Sequence, residues 1–264
     1  MNYTFAPHLC AICEVGGVEE PQATLFALVD AARLDLSARK RLDNLRDVTT
    51  EIVFESSFAR SALQFSPLLF ELSPNANRIE QMLILDRACA EFPMLSFLRS
   101  PLSLADLVTH LRSVLLIEAE NVPYLLRYAD TQMMAAANEA FNPPQRGVFF
   151  HDIEAWFTVD HEGVLDNVAD NNIYLQASHV AGTPILFDIE QTSSLLHAAA
   201  VPALASQLRN LESSFAAALT HAQQSAFAAR CFADASGPVE DDTELLSQAL
   251  QRWRLEAPQP CATR

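Results

Sequence analysis

Histidine and aspartate residues in the middle of the chain form a pattern that could bind a metal ion. His151 and Asp152 are adjacent, Asp160 opens an Asp-His-Glu-Gly sequence, and His110 lies upstream. Imidazole and carboxylate groups of this kind are common metal ligands. However, His151-Asp152 falls in a predicted strand or turn, and neighbouring side chains on a strand point to opposite faces. A metal-dependent hydrolase that uses these four residues is therefore kept as an alternative function.

A Cys-x-x-Cys pair, Cys10 and Cys13, is the second candidate for chemistry, and His8 lies close to it. A structural zinc site needs four ligands, and no second pair follows to complete one. The chain has five widely scattered cysteines, an odd number that favours free thiols in a reducing compartment. We therefore expect no metal and no cofactor.

Motifs for nucleophilic or nucleotide chemistry are missing from the sequence. There is no Gly-x-Ser-x-Gly nucleophile elbow, no Walker sequence and no dinucleotide-binding fingerprint. The chain has only 6 glycines, which argues against extended phosphate-binding loops. We therefore expect a protein that is not an enzyme.

Charge and hydropathy restrict the partners further. The formal net charge is −16, whereas nucleic-acid binding needs clustered cations to neutralise phosphates. No run reaches the roughly 18 apolar residues of a membrane-spanning helix. The N-terminal sequence has no basic region and no small-residue cleavage site of a signal peptide. We expect a cytoplasmic protein that binds neither nucleic acid nor membrane.

Strand and helix signals alternate between residues 24 and 165, which predicts an α/β (α+β) lobe with a mixed sheet flanked by helices. Apolar runs predict strands, and Ser103 is a good N-cap for a helix that carries Leu104, Leu107 and Leu111. Asn142-Pro-Pro-Gln-Arg-Gly147 is interpreted as a break. The predicted strands are Leu25–Val29, Glu51–Phe54, Pro67–Leu72, Val114–Ile117, Pro123–Tyr128, Val148–Phe150 and Ala155–Val159.

From about residue 189 alanine becomes frequent and only helical periodicity remains, which predicts an all-α C-terminal lobe. Leu204, Leu208, Leu211, Phe215 and Leu219 form one apolar stripe. The predicted organisation is an N-terminal segment (1–23), an α/β lobe (24–165), a linker or loop region (166–188), a helical lobe (189–256) and a flexible tail (257–264).

The order of several segments resembles the adaptor (chaperone) family of bacterial type VI secretion, the Tap or Tec proteins. The resemblance covers about residues 24 to 165. It is carried by Leu25-Phe-Ala-Leu-Val-Asp-Ala-Ala32, Ser56 to Leu72 with its ending Ser66-Pro-Leu-Leu-Phe-Glu-Leu72, Ser100 to Arg112, Leu125-Leu-Arg-Tyr-Ala-Asp130 and Ile153-Glu-Ala-Trp156.

The resemblance implies a non-enzymatic adaptor that binds a toxic effector and loads it onto the VgrG spike. An immunity protein that binds a toxin would be equally acidic, so it remains an alternative. The chain departs from the family pattern at Thr131 and Gln132, where the family usually has Pro-Arg. A different cargo would be consistent with this departure.

Five polar residues in the resembling segments are the candidate site: Asp30, His110, Arg112, Arg127 and Asp130. Asp30 and Asp130 each follow an apolar run, and strand ends at one edge of a sheet commonly gather polar groups. These residues form either a partner-binding surface or an internal Asp–Arg network, because a buried arginine is normally paired.

Overall fold

The structure is a computed structural model that describes residues 3–14, 23–54, 60–74, 77–160, 162–169, 184–234 and 242–256. The chain divides into two compact units between Leu195 and Leu196. The first unit contains all of the strands found in the described residues, and helices make up the second.

Nine strands of the first unit form two sheets. Six are joined in the order β2-β3-β1-β4-β7-β8 with antiparallel neighbours, and three form a smaller mixed sheet in the order β6-β5-β9. In chain order they are β1 (Thr24–Val29), β2 (Thr49–Ile52), β3 (Leu68–Glu71), β4 (Leu95–Ser100), β5 (Leu116–Ala119), β6 (Val122–Leu125), β7 (Ala155–Val159), β8 (Leu165–Asn167) and β9 (Ile185–Phe187).

Strand β1 lies in the interior of the larger sheet and is buried on both faces. Successive strand residues point to opposite faces, so Phe26 and Leu28 enter one core cluster while Ala27 and Val29 enter another. A strand covered on both faces needs a continuous apolar sequence rather than an alternating one. The first polar residue, Asp30, comes directly after the strand.

Helices cover these sheets, so the predicted fold class is confirmed: an α/β region followed by a helical region. Seven helices belong wholly to the first unit, and the last four are α8 to α11. In chain order they are α1 (Leu9–Glu14), α2 (Leu36–Leu42), α3 (Arg60–Leu63), α4 (Asn77–Cys89), α5 (Leu104–Ser113), α6 (Thr131–Ala140), α7 (Pro143–Phe149), α8 (Ile189–Leu211), α9 (Ser213–Ala218), α10 (His221–Asp234) and α11 (Asp242–Glu256).

Two local predictions were wrong. The Asn142–Gly147 sequence is the start of helix α7: the Asn142 side chain accepts from the Gln145 amide, and the Gln145 side chain accepts from the Asn142 amide. Proline suits the first turn of such a helix because its missing N–H would have no partner there. Val148–Phe150, predicted as a strand, is therefore the end of α7 and the residue that caps it.

In the second unit the predicted apolar stripe is divided among consecutive helices. Leu204 and Leu208 lie buried on α8, which ends at Leu211, and Phe215 lies buried on α9. Phe215, Phe227 and Trp253 meet edge-on, with ring centroids 5.0 to 5.8 Å apart. This geometry is favourable for aromatic pairs, and it gives the unit its own core.

The predicted linker region of residues 166–188 has strands at both ends, β8 and β9. Residues 170–183 of that region, and the predicted tail 257–264, lie outside the described residues. The division into five segments stays a prediction. Among the described residues, no helix combines the length and the apolar character that crossing a membrane requires.

Candidate functional site

Three of the five candidate residues meet in one cluster of charges. Arg127 Nη2 lies 2.7 Å from Asp30 Oδ2 and 3.8 Å from Asp130 Oδ2. Arg33 Nη2 lies 3.3 Å from Asp130 Oδ2. These four residues are called the Asp–Arg network below. The two carboxylates are almost fully buried, whereas 42% of the Arg127 side chain is exposed.

Each aspartate of the network divides its two oxygens between a helix end and an arginine. Asp30 Oδ1 accepts from the Ala32 amide at the start of the 3-10 turn Ala31–Arg33, which leaves Oδ2 for Arg127. Asp130 Oδ1 accepts from the Gln132 amide at the start of α6, which leaves Oδ2 for Arg33. Aspartate is a favoured N-cap because it satisfies amides that have no partner inside the helix. Local capping therefore fixes the orientation of both carboxylates.

A short segment before β4 holds the two aspartates side by side. The Asp30 amide donates to Met94 O and the Thr131 amide donates to Pro93 O, each at 2.9 Å. Because Pro93 and Met94 are consecutive, the two capped turns are bound to neighbouring residues of the segment that leads into β4. The network is therefore positioned by main-chain hydrogen bonds as well as by its own ion pairs.

Arg127 lies between two buried residues, Leu126 and Tyr128. The Leu126 amide donates to Leu115 O, and the Tyr128 hydroxyl donates to Leu111 O. The predicted strand Pro123–Tyr128 ends at Leu125 in the structure, so Arg127 follows the strand instead of lying within it. Its main chain is nevertheless anchored on both sides.

Burial raises the pKa of the Asp130 carboxyl above its ordinary value of 3.8. Desolvation is the largest cause, since it penalises the charged form. Arg33 and Arg127 lower the pKa and Asp30 raises it, so the two arginines offset only part of the effect.

An apolar cavity of about 240 Å³ adjoins the network. Asp30, Arg127 and Asp130 line it on the polar side. Phe65 and Leu125, which also line it, are 49% and 42% exposed. The remaining lining residues are Ala32, Phe54, Ala62, Pro67, Leu115, Leu126, Tyr128 and Ala129.

The structure places His110 and Arg112 outside this cluster. His110 Nε2 donates to Phe149 O at 2.8 Å, which connects α5 to α7. Arg112 donates through Nε to Val53 O and through Nη2 to Ile52 O, which connects α5 to the end of β2. Both side chains thus bond to main-chain carbonyls of other segments.

Thr131 and Gln132, where the chain departs from the resembling family, make contacts that Pro-Arg could not make in the same way. A proline at position 131 has no amide to donate to Pro93 O. The Gln132 side chain donates to the Tyr3 hydroxyl at 3.1 Å. The departure is therefore accommodated by hydrogen bonds of this chain.

The four residues of the metal hypothesis do not all meet, although the rings of His110 and His151 lie close together, with centroids 6.4 Å apart. His151 Nδ1 pairs with Asp152 Oδ2 at 2.9 Å, and both side chains are nearly half exposed. Asp160 Oδ1 accepts from the amides of Glu162 and Val164 in the turn between β7 and β8. His161 lies outside the described residues. Within the described ranges, no group of three or more His, Cys, Asp or Glu residues is arranged to hold a metal ion.

The Cys-x-x-Cys pair lies on the short helix α1. Cys10 and Cys13 are free thiols, as are Cys89 and Cys231, and Cys261 is not among the described residues. Cys13 Sγ lies 3.8 Å from Met82 Sδ, and burial raises the pKa of its thiol. A raised pKa lowers the thiolate fraction, on which thiol reactivity depends.

The residue that sequence reasoning missed is Arg33. Its guanidinium pairs with Asp130 and lies 5.9 Å from the centre of the Phe92 ring. A signal was available, because Arg33 is three residues after Asp30 and the Asp30 side chain caps the turn that contains it. The aromatic lining residue Phe65 was missed as well, and no local pattern marks it.

Comparison with known proteins gives one match. Residues 25–147 match a family model described as a domain of unknown function, DUF4123. The matched range contains the whole Asp–Arg network and all of the cavity-lining residues. No curated protein and no solved structure matches the chain.

Proposed function

We propose that this protein is a non-enzymatic cytoplasmic adaptor of a type VI secretion system, which binds a secreted effector and loads it onto the VgrG spike. The observation that carries the proposal is the DUF4123 match over residues 25–147, since this domain is known in effector-adaptor proteins of such systems. The same stretch carries the resemblance to that family in the sequence.

The architecture of the site supports the proposal. Two of the resembling segments, Leu25–Ala32 and Leu125–Asp130, supply three of the four network residues and much of the cavity wall. Exposed apolar groups beside a half-exposed arginine are typical of the centres of protein interfaces, where aromatic residues and arginine are enriched. A protein partner therefore fits this surface.

The contacts of the candidate chemical groups support the non-enzymatic part of the proposal. The His110 ring bonds to a main-chain carbonyl, and the Asp160 carboxylate accepts two turn amides. Each of these two side chains therefore has a structural partner in the protein. An adaptor has no need of a convergent catalytic set.

Co-purification is the direct test of the adaptor function. The tagged chain, expressed with the effector and spike genes of its own gene cluster, should retain both proteins. We expect a dissociation constant between about 1 nM and about 1 µM, because cargo must be held and then released. Deleting the gene should abolish delivery of one effector while other effectors are still secreted. Retention of neither protein, with delivery unaffected by the deletion, would overturn the proposal.

The same preparations separate the alternatives. An immunity protein would bind the toxin and protect cells from it without contacting the spike. A metal-dependent hydrolase would keep about one equivalent of metal through dialysis and lose it when His151 and Asp152 are replaced by alanine. We expect no stoichiometric metal and no hydrolysis of common phosphoesters or peptides.

A further inference from the structure

We propose that the cavity beside the Asp–Arg network is the anchor site for a protein partner. It takes one large apolar side chain of an extended segment, while Arg127 binds a main-chain carbonyl of that segment. This inference rests on the proposed adaptor function for the identity of the partner. The cavity and its chemistry are independent of that identity.

The cavity has the size and lining of a side-chain pocket. Apolar cavities of about 150 Å³ accept a benzene ring, so one of about 240 Å³ has room for a leucine, methionine or phenylalanine side chain. Its apolar lining comes from Phe54, Phe65, Pro67 and Leu115, among others. Phe65 is 49% exposed, so part of an aromatic ring that lines the cavity is accessible to a partner.

The ion pairs of Arg127 hold its guanidinium in place and can persist when a partner binds. Only its Nη2 atom takes part in the ion pairs with Asp30 and Asp130, and the described residues offer its Nε and Nη1 groups no hydrogen-bond acceptor. Those N–H groups belong to a side chain that is 42% exposed and lines the cavity. A guanidinium held in one orientation loses little entropy when it binds.

The charge balance of the network indicates whether the partner group that accepts hydrogen bonds from Arg127 is a carboxylate or a neutral acceptor. The positive charge of Arg127 is already balanced by Asp30 at 2.7 Å, and Asp130 lies 3.8 Å away. Asp30 and Asp130 already balance the charges of Arg127 and Arg33, so an incoming carboxylate would add a negative charge beside two buried carboxylates without a cation of its own. A main-chain carbonyl accepts the same hydrogen bonds without that repulsion. We therefore assign the acceptor as a peptide carbonyl, which any extended segment presents beside its side chains.

Substitutions at two positions, Ala62 and Arg127, distinguish the contribution of the cavity from that of the arginine. Ala62→Phe adds a ring at the cavity wall and leaves every charge in place. Arg127→Ala removes the hydrogen-bond donors, and Arg127→Lys keeps a cation for Asp30 but loses the guanidinium fork. The matched control is Ala105→Phe, because Ala105 is an exposed alanine on α5 that does not line the cavity. Thermal unfolding of each variant identifies any loss of folding.

The first measurement uses small probes and the full chain. N-acetyl-leucine N-methylamide should shift NMR signals of the cavity-lining residues with millimolar affinity, and the alanine homologue should bind at least tenfold more weakly. Ala62→Phe should abolish the shifts. Arg127→Ala should weaken binding of the leucine probe by about tenfold, and Arg127→Lys should weaken it by less. The control Ala105→Phe should leave binding unchanged. Shifts elsewhere, or equal binding of the alanine probe, would refute the inference. Tighter binding of N-acetyl-leucine, which carries a free carboxylate, would refute the assignment of the acceptor.

The second measurement uses the co-purified effector and spike proteins. Ala62→Phe and Arg127→Ala should each weaken retention of one of these partners by tenfold or more, with the control unchanged. If the wild-type chain retains a partner and both variants retain it equally, the anchor site is refuted while the adaptor function stands. If the wild-type chain retains neither protein but the leucine probe still binds, the adaptor function fails and the cavity chemistry stands.

Discussion

Arg127 donates to the Asp30 carboxylate at 2.7 Å, although the two residues are 97 positions apart in the chain. Asp30 follows β1 of the six-stranded sheet, whereas Arg127 follows β6 of the three-stranded sheet. The pair therefore connects the ends of strands from two sheets within the first unit. Its strength and its role can be measured separately.

Asp30→Asn tests the strength of this pair. Asparagine keeps an oxygen to cap the Ala31–Arg33 turn but removes the charge that Arg127 faces. We expect a loss of about 1.5 to 3 kcal/mol in the free energy of unfolding, the range for hydrogen bonds to charged groups. A double-mutant cycle with Arg127→Met in urea unfolding should give a coupling energy above about 1 kcal/mol. Additive effects of the two substitutions would show that the pair contributes nothing.

Asp130 should make stability depend on pH in an unusual direction. Its pKa is raised on folding, so between pH 3.8 and the raised pKa the folded state binds more protons than the unfolded state. The contribution of Asp130 to the free energy of unfolding therefore falls as pH rises through that window, and it levels off above the raised pKa. The stability of the wild type relative to Asp130→Asn should increase as pH is lowered from 7 to 4. Urea unfolding of both proteins across this pH range measures the difference between their free energies of unfolding. If the wild type loses stability relative to Asp130→Asn on acidification, the direction of the pKa shift is contradicted.

Thr131→Pro should destabilise the protein even though proline is normally well tolerated in the first turn of a helix. The substitution removes the amide that donates to Pro93 O, and that carbonyl belongs to a buried residue. Leaving a buried acceptor without its donor costs about 1 to 3 kcal/mol. Thr131→Ala keeps the amide and is the control. Equal unfolding midpoints for the proline and alanine variants would show that the hydrogen bond is unimportant.

The hairpin between β5 and β6 should be stabilised by better turn residues. Its two turn residues, Glu120 and Asn121, both have positive φ, at 52° and 63°. A two-residue turn with positive φ at both positions strongly favours Asn-Gly. Replacing Glu120 by Asn and Asn121 by Gly should raise the free energy of unfolding by about 0.5 to 1.5 kcal/mol, because the left-handed conformation then costs less. Thermal unfolding measures the gain, and an unchanged midpoint would contradict the argument.

Limited proteolysis tests the predicted boundary between the lobes. The sequence predicts that cleavage occurs within residues 166–172 or in the C-terminal tail. Early cleavage within α5 would contradict the assignment of that helix to a stable core, since four of its apolar residues are buried. Mass spectrometry of the first fragments identifies the cut sites.

Local sequence was sufficient to predict several elements and their ends. The apolar run Leu25–Val29 predicts a buried strand because both faces of β1 need apolar side chains. Ser103 caps α5 as expected, with its hydroxyl accepting from the Asp106 amide. Capping and periodicity act over a few residues, so a short stretch of sequence contains all of the information they need.

The candidate site was predictable only in part. Asp30 and Asp130 were selected because they follow apolar runs and Arg127 because it lies in a resembling segment, and the structure brings the three together. The expected reason was a shared sheet edge, whereas the strands belong to two sheets and the Pro93-Met94 segment joins the two turns. His110 and Arg112 were selected on the same resemblance, but their partners are main-chain carbonyls that no side-chain pattern reveals.

The sequence alone determined the buried strand β1 and the start of α5, because hydrophobic periodicity and capping are local properties of the chain. It determined the α/β character of the first region and the helical character of the second for the same reason. Only the tertiary structure decided that Asp30 faces Arg127 and that Arg33 faces Asp130. Those pairings depend on how strands from two sheets are placed across about 100 residues, and the energy of such contacts exists only once the chain has folded.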